Sequence, residues 1–196
     1  MTLCFATNNE HKLREVRSML GDSFRILSLQ DIGCHEELPE DHDTLEANSR
    51  QKAEYVWQHY HQSCFADDTG LEVATLNKAP GVYSARYAGP QRSSADNMDL
   101  LLRNLENAPN RQARFRTSIT LILEGKEHQF DGIVEGHITE KPAGEGGFGY
   151  DPVFVPQGHD QTFAEMPAEK KNAISHRSRA VEKLVQFLRD QATASA

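Results

Sequence analysis

The clearest pattern in the chain is an alternation of apolar and polar side chains along ARFRTSITLIL, residues 113–123. A period of two residues predicts a β-strand, and it places Ser118 and Thr120 on the face opposite the apolar side chains. Glu124-Gly125 follows as a turn pair, and HQFDGIVEGHI then returns. The two segments therefore predict a β-hairpin.

The start of the chain has a different pattern. TLCFA (2–6) and FRILSL (24–29) are short apolar runs typical of buried strands. Apolar side chains between them recur at helical spacing up to Gly21, which ends the predicted helix. These positions are Leu13, Val16, Met19 and Leu20. Strand, helix and strand in this order predict a parallel pair of strands in an α/β sheet.

The rest of the chain continues the mixture of helices and strands. The predicted segments are a helix from Thr44 to about His61, a strand CFADD at 64–68, a helix from Ser93 towards Pro109, and a last helix carrying Ile174, Val181, Leu184, Val185 and Leu188. We expect the CFADD strand to end at a turn, Thr69-Gly70. Without a repeat or a linker, the chain predicts one α/β domain over residues 1–196, with residues 191–196 as a frayed tail.

Composition narrows the classes of partner. The chain has 196 residues and a formal net charge of −8, which disfavours binding to long nucleic acids. No apolar stretch approaches the roughly 20 residues that span a bilayer, and the N-terminal residues MTLCFATNN do not resemble a secretory leader. Three scattered cysteines favour reduced thiols. We expect a cytoplasmic protein that binds neither nucleic acid nor membranes.

Two segments near the predicted sheet carry candidate chemistry. In ATNNEHK (6–12) a strand-to-helix turn offers backbone N–H groups to an anion, and Lys12 follows one turn into the helix. A simple helix cap with a surface lysine explains the same residues. Asp67 and Asp68 repel each other unless a cation such as Mg²⁺ neutralises them. A solvated turn is the alternative interpretation.

Two later segments add an aromatic loop and a basic cluster. GEGGFGYDP (144–152) combines glycines with Phe148 and Tyr150, which suits stacking on a base or, alternatively, a flexible loop with one core aromatic. EKKNAISHRSRA (169–180) places His176 and Arg177 at a helix start, the wrong end for cations. Residues that oppose the helix dipole in this way often have a functional role. The common alternative is that the basic cluster is simply a solvated face of the helix.

Together these segments closely resemble the inosine triphosphate pyrophosphatases, also called the Ham1 family. The family patterns T-x-N-x-x-K, A-D-D-S-G-L, P-G-x-Y-S-A-R-Y, G-G-F-G-Y-D-P and K-x-x-x-S-H-R are present in family order at 7–12, 66–71, 80–87, 146–152 and 171–177. Thr69 replaces the usual Ser, Asn8 stands where many members have Gly, and Ala47 replaces the Glu that precedes Asn48.

The resemblance implies a Mg²⁺-dependent nucleoside triphosphate pyrophosphatase that cleaves ITP, dITP and XTP to the monophosphate and pyrophosphate. Such an enzyme removes deaminated purines from the nucleotide pool. It also implies an α/β fold with an elongated mixed β-sheet flanked by helices, two lobes with the active-site cleft between them, and a homodimer. A Maf-like pyrophosphatase for modified pyrimidine nucleotides and a non-catalytic nucleotide sensor are the alternatives.

The same resemblance assigns roles to individual residues. Asp68 would be the catalytic residue and, with Glu40, a metal ligand. Thr7, Asn8, Asn9, Glu10, His11 and Lys12 would bind the triphosphate, and Thr69 would contact the substrate beside them. Phe148, Gly149, Tyr150 and Asp151 would hold the base, with Phe148 stacking on it. Lys171 would contact the substrate, and His176 and Arg177 would bind the edge of the base.

Overall fold

The computed structural model describes residues 1–194, which form a mixed α/β structure. The helices are α1 (Glu10–Leu20), α2 (Leu45–Tyr60), α3 (Ser94–Asn104), α4 (Ala168–Ile174) and α5 (His176–Ala194). The strands are β1 (Thr2–Phe5), β2 (Arg25–Leu27), β3 (Cys64–Val73), β4 (Pro80–Gly81), β5 (Gln112–Leu123), β6 (Lys126–Ile138) and β7 (Phe154–Pro156). Among the described residues, no helix is long and apolar enough to cross a bilayer.

The strands form one sheet in the order β2-β1-β3-β5-β6-β7, and β4 pairs with β3. β1 is parallel to β2 and to β3, with Cys4 opposite Cys64, whereas β6 and β7 are antiparallel. The predicted parallel pair at the N-terminus and the predicted hairpin of β5 and β6 are both confirmed. The mixed sheet flanked by helices is confirmed as well.

The chain folds into two compact units. The first unit comprises Met1–Asp68, Thr117–Gly132 and the described residues from Arg177 onward, and the second unit comprises Thr69–Arg116 and Ile133–His176. Strands β3, β5 and β6 each contribute residues to both units. The single domain expected over residues 1–196 stays a prediction.

Strand alternation divides the core of the first unit into two layers. Phe5 and Phe65 stack with ring centroids 4.6 Å apart on the face that α1 and α5 cover. Cys64 and Ala66 lie on the opposite face with Ala53 of α2. Successive side chains of a strand point to opposite faces, so residues 64–68 of β3 present their odd-numbered side chains to α1 and α5 and their even-numbered side chains to α2.

The second unit has a core of its own. Phe115 packs its ring against Phe154 and Phe163, with centroid distances of 4.6 and 6.1 Å. The same cluster includes Leu71 of β3 and Leu101 of α3. Each of these side chains is buried, so apolar surface removed from water stabilises this unit as it does the first.

Two sequence-based expectations about helices and strands need correction. β3 does not end at Asp68 but continues without a turn through Thr69-Gly70 to Val73. Gly70 is required there because an added Cβ would lie 2.5 Å from the Gly81 carbonyl oxygen of β4. Ile174 does not belong to the last helix, because Ser175 is extended and separates α4 from α5.

The C-terminus and the hairpin add two further findings. Helix α5 continues through 191–194, where a frayed tail was expected, and 195–196 lie outside the described residues. The alternation in β5 is confirmed, but the hydroxyls on its polar face are also buried. Ser49 of α2 lies 2.8 Å from Thr120 and 3.5 Å from Ser118 through their hydroxyl oxygens.

Candidate active site

The turn between β1 and α1 is a capped helix start. Asn9 is the N-cap, and its Oδ1 accepts hydrogen bonds from the backbone N–H groups of His11 and Lys12. Thr7 Oγ1 accepts from the Asn9 N–H at 3.1 Å. The capping interpretation is therefore correct for Thr7 and Asn9. It is wrong for Lys12, whose side chain is only 14% exposed and turns inward instead of lying on the surface.

Lys12 forms an ion pair with the Asp67 carboxylate. Its Oδ1 lies 3.1 Å from Lys12 Nζ, and its Oδ2 lies 3.4 Å from Arg177 Nε. Its backbone carbonyl oxygen accepts a hydrogen bond from Lys52 Nζ at 2.6 Å. Burial alone would raise the pKa of Asp67, but these cations lower it well below the usual carboxyl range. Asp67 is therefore a buried anion that is ionised across the physiological pH range.

Asp68 has the opposite electrostatic character. Its side chain points toward α2, where Asn48 Nδ2 donates to its Oδ2 at 3.1 Å. Burial raises the pKa of Asp68 to about 6, and the nearby Glu40 carboxylate adds to the increase against the opposing effect of Lys52 and Lys12. A carboxyl group with a pKa near 6 is ionised at pH 7 and remains basic enough to accept a proton.

The acidic loop before α2, residues 35–43 (HEELPEDHD), is attached to that helix by a series of side-chain contacts. Glu40 pairs with Lys52 at 2.6 Å. Asp41 exchanges two hydrogen bonds with Gln51, and the His42 backbone exchanges two with Asn48. Glu36 accepts from Tyr55 and Tyr60 at 2.9 and 2.6 Å. The loop that carries Glu40 is therefore held in one position against α2.

Asn48 is a site residue to which the sequence patterns had assigned no function. It joins the acidic loop to Asp68, because its amide contacts both the His42 backbone and the Asp68 carboxylate. A local indication did exist, since Asn48 and Lys52 lie four positions apart and share one face of α2. Both are buried in the structure.

The carboxylates of Asp68 and Glu40 fit a hard divalent cation. The Glu40 charge raises the pKa of Asp68, so the two groups are close enough to repel each other. Among residues 1–194, no group of three or more acidic, histidine or cysteine side chains is arranged as a complete metal site. Mg²⁺ does not need one, because it commonly takes one or two carboxylates together with water and phosphate oxygens.

The second unit brings the aromatic loop and Lys171 together. Asp151 Oδ2 accepts a hydrogen bond from the Phe148 N–H at 3.0 Å and from Lys171 Nζ at 2.6 Å. The Lys171 ammonium also lies 4.8 Å from the centre of the Phe148 ring. Tyr150 points away into the core, and its hydroxyl donates to the Ser84 carbonyl at 2.7 Å. Phe148 is thus the partly exposed aromatic residue of this loop.

The start of α5 divides its two predicted base-binding residues between the units. His176 is buried in the second unit, where its ring stacks on Phe115 at 4.6 Å. Arg177 belongs to the first unit and is 1% exposed. Its guanidinium pairs with Glu15 through Nη1 and with Asp67 through Nε. These carboxylates offset the unfavourable position of a cation at a helix N-terminus.

The predicted site residues thus form two sets. In the first unit, Lys12, Asp68, Glu40 and Arg177 gather around residues 67 and 68 of β3. In the second unit, Phe148, Asp151 and Lys171 are in mutual contact. Thr69 follows Asp68 in β3, and Glu10 and His11 lie on the exposed first turn of α1.

Comparison with known proteins gives consistent matches over nearly the whole chain. The sequence profile of the Ham1 family matches residues 3–187. The dITP/XTP pyrophosphatase of Flavobacterium johnsoniae is 56% identical over 188 residues, which cover 96% of this chain and 98% of that relative. The dITP/XTP pyrophosphatase of Porphyromonas gingivalis is 52% identical, with coverage of 95% and 96%. A solved HAM1 protein from Coxiella burnetii superimposes with a TM-score of 0.89 at 34% identity, covering 97% of this chain and 99% of that one.

Proposed function

The chain belongs to the Ham1 family, and from this membership we propose that it is a nucleoside triphosphate pyrophosphatase for non-canonical purine nucleotides. It hydrolyses ITP, dITP and XTP between the α and β phosphates and releases the monophosphate and pyrophosphate. The names of its relatives from Flavobacterium and Porphyromonas support this substrate class. The family resemblance inferred from the motifs is confirmed by the match to residues 3–187.

One observation supports the chemistry most directly, namely the environment of Asp68. Its buried carboxylate has a pKa of about 6 and is oriented by a hydrogen bond from Asn48. The charges of Glu40, Lys52 and Lys12 also act on this carboxylate. Such a group is suited to accept a proton from the water that attacks the α-phosphorus. The bond to the β-phosphate then breaks, and pyrophosphate leaves.

Asp68 and Glu40 are the residues that we propose hold Mg²⁺. When bound, the ion supplies charge neutralisation at the phosphates and acidifies water. The protein's own part is positioning, which dominates phosphoryl transfer. The start of α1, with the segment from Thr7 to Lys12, presents the positive end of the helix and one ammonium to an anion, and we assign the triphosphate to it. Thr69 adds a hydroxyl beside Asp68.

Base recognition is assigned to the second unit together with the start of α5. Phe148 offers a partly exposed ring for stacking, and Asp151 and Lys171 hold the backbone and the ring of that residue. Gly149 and Tyr150 complete the loop. Donors at His176 and Arg177 favour the 6-oxo group of hypoxanthine and xanthine over the 6-amino group of adenine, because unpaired buried donors are costly.

The decisive experiment is a pyrophosphate-release assay on ITP, XTP, GTP and ATP, with Mg²⁺ or with a chelator. We expect ITP and XTP to be preferred and activity to require the metal. Preference for modified pyrimidine nucleotides would favour the Maf-like alternative, and binding without release would favour a nucleotide sensor. We further propose a cytoplasmic homodimer that binds no nucleic acid, in keeping with the family.

A further inference from the structure

The two adjacent acids of β3 face different helices. Phe65 and Asp67 are odd-numbered residues on the face covered by α1 and α5, whereas Ala66 and Asp68 are even-numbered residues on the face covered by α2. Since a strand alternates its side chains, the two carboxylates enter different surroundings. Asp68 meets Asn48 of α2, and Asp67 meets Lys12 of α1.

Asp67 is the point where cations from three helices converge. Lys12 from α1 and Arg177 from α5 lie at opposite oxygens of its carboxylate, and Lys52 from α2 donates to its backbone carbonyl. The Asp67 side chain is 1% exposed. A divalent cation placed on this carboxylate would face three positive charges at short range, which is strongly unfavourable in a buried setting. The geometry therefore disfavours Asp67 as a metal ligand.

Lys12 depends on this carboxylate for its position. A lysine side chain has many rotamers, and fixing one costs conformational entropy. Burial lowers the pKa of Lys12, and the Asp67 carboxylate is the main opposing influence. The 3.1 Å contact to Asp67 Oδ1 thus holds the Lys12 ammonium at one point beside β3 before any ligand binds.

We propose that Asp67 is a positioning residue that orients Lys12 for the triphosphate and neither binds the metal nor accepts a proton. This inference rests on the proposed function, because it assumes that Lys12 binds phosphate. Asp67 acts on the substrate only through Lys12, while its second oxygen ties the start of α5 to β3 through Arg177.

A double-mutant cycle with Asp67→Asn and Lys12→Met tests the coupling. We expect Asp67→Asn to lower kcat for ITP about tenfold in the wild-type background and less than about threefold in the Lys12→Met background. KM should stay equal or fall, since the variant gains net positive charge. Additive effects of the two substitutions, or a raised KM with unchanged kcat, would overturn the proposal.

Two binding measurements keep the test independent of catalysis. Mn²⁺ affinity, measured by paramagnetic resonance on the free protein, should be unchanged in the Asp67→Asn/Lys12→Met double variant, which preserves the net charge. A tenfold loss would identify Asp67 as a ligand. Calorimetric binding of inorganic tripolyphosphate should show the same Asp67–Lys12 coupling. If the wild type hydrolyses no nucleotide, the proposed function fails, and these binding data alone decide the positioning role.

Glu15→Gln is the matched control. It removes the other carboxylate that pairs with Arg177 and leaves the Lys12–Asp67 contact in place. We expect a lower Tm, with kcat within about threefold of the wild type and no coupling to Lys12→Met. Coupling of Glu15 to Lys12 as strong as that of Asp67 would show a general loss of stability and overturn the specific role of Asp67.

Discussion

Lys171 Nζ lies 2.6 Å from Asp151 Oδ2, and both side chains are only 5% exposed. This buried ion pair holds the loop that presents Phe148, because the same carboxylate oxygen accepts the Phe148 N–H and the ammonium lies over the Phe148 ring. Lys171 therefore helps to fix the position of the Phe148 ring through its contacts with Asp151 and with the ring itself.

Lys171→Met should destabilise the protein by about 3–5 kcal/mol, because it leaves the Asp151 carboxylate buried without its cation. Adding Asp151→Asn to that variant should restore part of the loss. The free energy of unfolding from urea titrations of the two single variants and the double variant checks this. Strictly additive losses would show that the pair is not energetically coupled.

Gly147 and Gly149 form a matched pair for testing the loop. Both have positive φ, +67° and +60°, so an alanine is strained at either position. A Cβ at Gly147 would also lie 2.1 Å from Asp151 Oδ2, whereas one at Gly149 would meet nothing within 4 Å. Gly147→Ala should raise KM for ITP about tenfold or more, since displacing Asp151 releases the Phe148 backbone from its hydrogen bond.

Gly149→Ala should cost about 1–2 kcal/mol of backbone strain in the free energy of unfolding, and it should raise KM less than Gly147→Ala does, because it leaves Asp151 in place. Steady-state kinetics on ITP and denaturant titrations of both variants provide the comparison. Equal KM values for Gly147→Ala and Gly149→Ala would contradict the role given to Asp151.

The Glu36 contacts predict a pH-dependent stability. Hydrogen bonds from Tyr60 and Tyr55 lower the pKa of Glu36 from 4.5 to about 2. The folded-state value lies below the unfolded one, so the contribution of Glu36 is present above pH 4.5 and is lost as the pH falls toward 2. Glu36→Gln should therefore lower Tm at pH 7, and the difference from wild type should shrink at pH 3. A constant difference would mean that the charge is irrelevant.

Asp68→Asn should abolish most activity and spare the fold. Loss of a general base predicts a fall in kcat of about 10²–10⁴-fold in pyrophosphate release from ITP. Because the folded pKa of Asp68, about 6, exceeds the ordinary value of 3.8, its contribution to stability is complete below 3.8 and is lost as the pH rises through 6. In a chelator, the Tm of the variant relative to wild type should thus rise between pH 4 and pH 7. Near wild-type activity would remove Asp68 from the mechanism.

The local patterns predicted most of the secondary structure, because the first three helices each begin at a capping side chain that is recognisable in the sequence. Asn9, Thr44 and Ser93 all cap the helices that were expected to begin after them. The patterns failed at Thr69-Gly70, where turn-type residues lie inside a strand since Gly70 allows β4 to approach closely.

The residues of the candidate site could be predicted from the sequence, but the contacts between them could not. Asp67 contacts Lys12 across 55 positions and Arg177 across 110, and neither spacing has a local periodicity. The sequence thus showed that Arg177 is a cation at the unfavourable end of a helix. It did not show that the carboxylates of Asp67 and Glu15 neutralise this charge. Long-range pairing depends on how the strands and helices assemble, which hydrophobic periodicity alone does not specify.

The contacts between the acidic loop and α2 limit insertions and deletions in this loop. Surface loops usually accept insertions and deletions. Here the loop positions 36, 40, 41 and 42 meet helix positions 55, 52, 51 and 48, so the loop and the helix run past each other in fixed register. Removing or adding one residue before Glu40 would place Asp41 or Pro39 opposite Lys52. In this protein the spacing of the loop is therefore as restrictive as its composition.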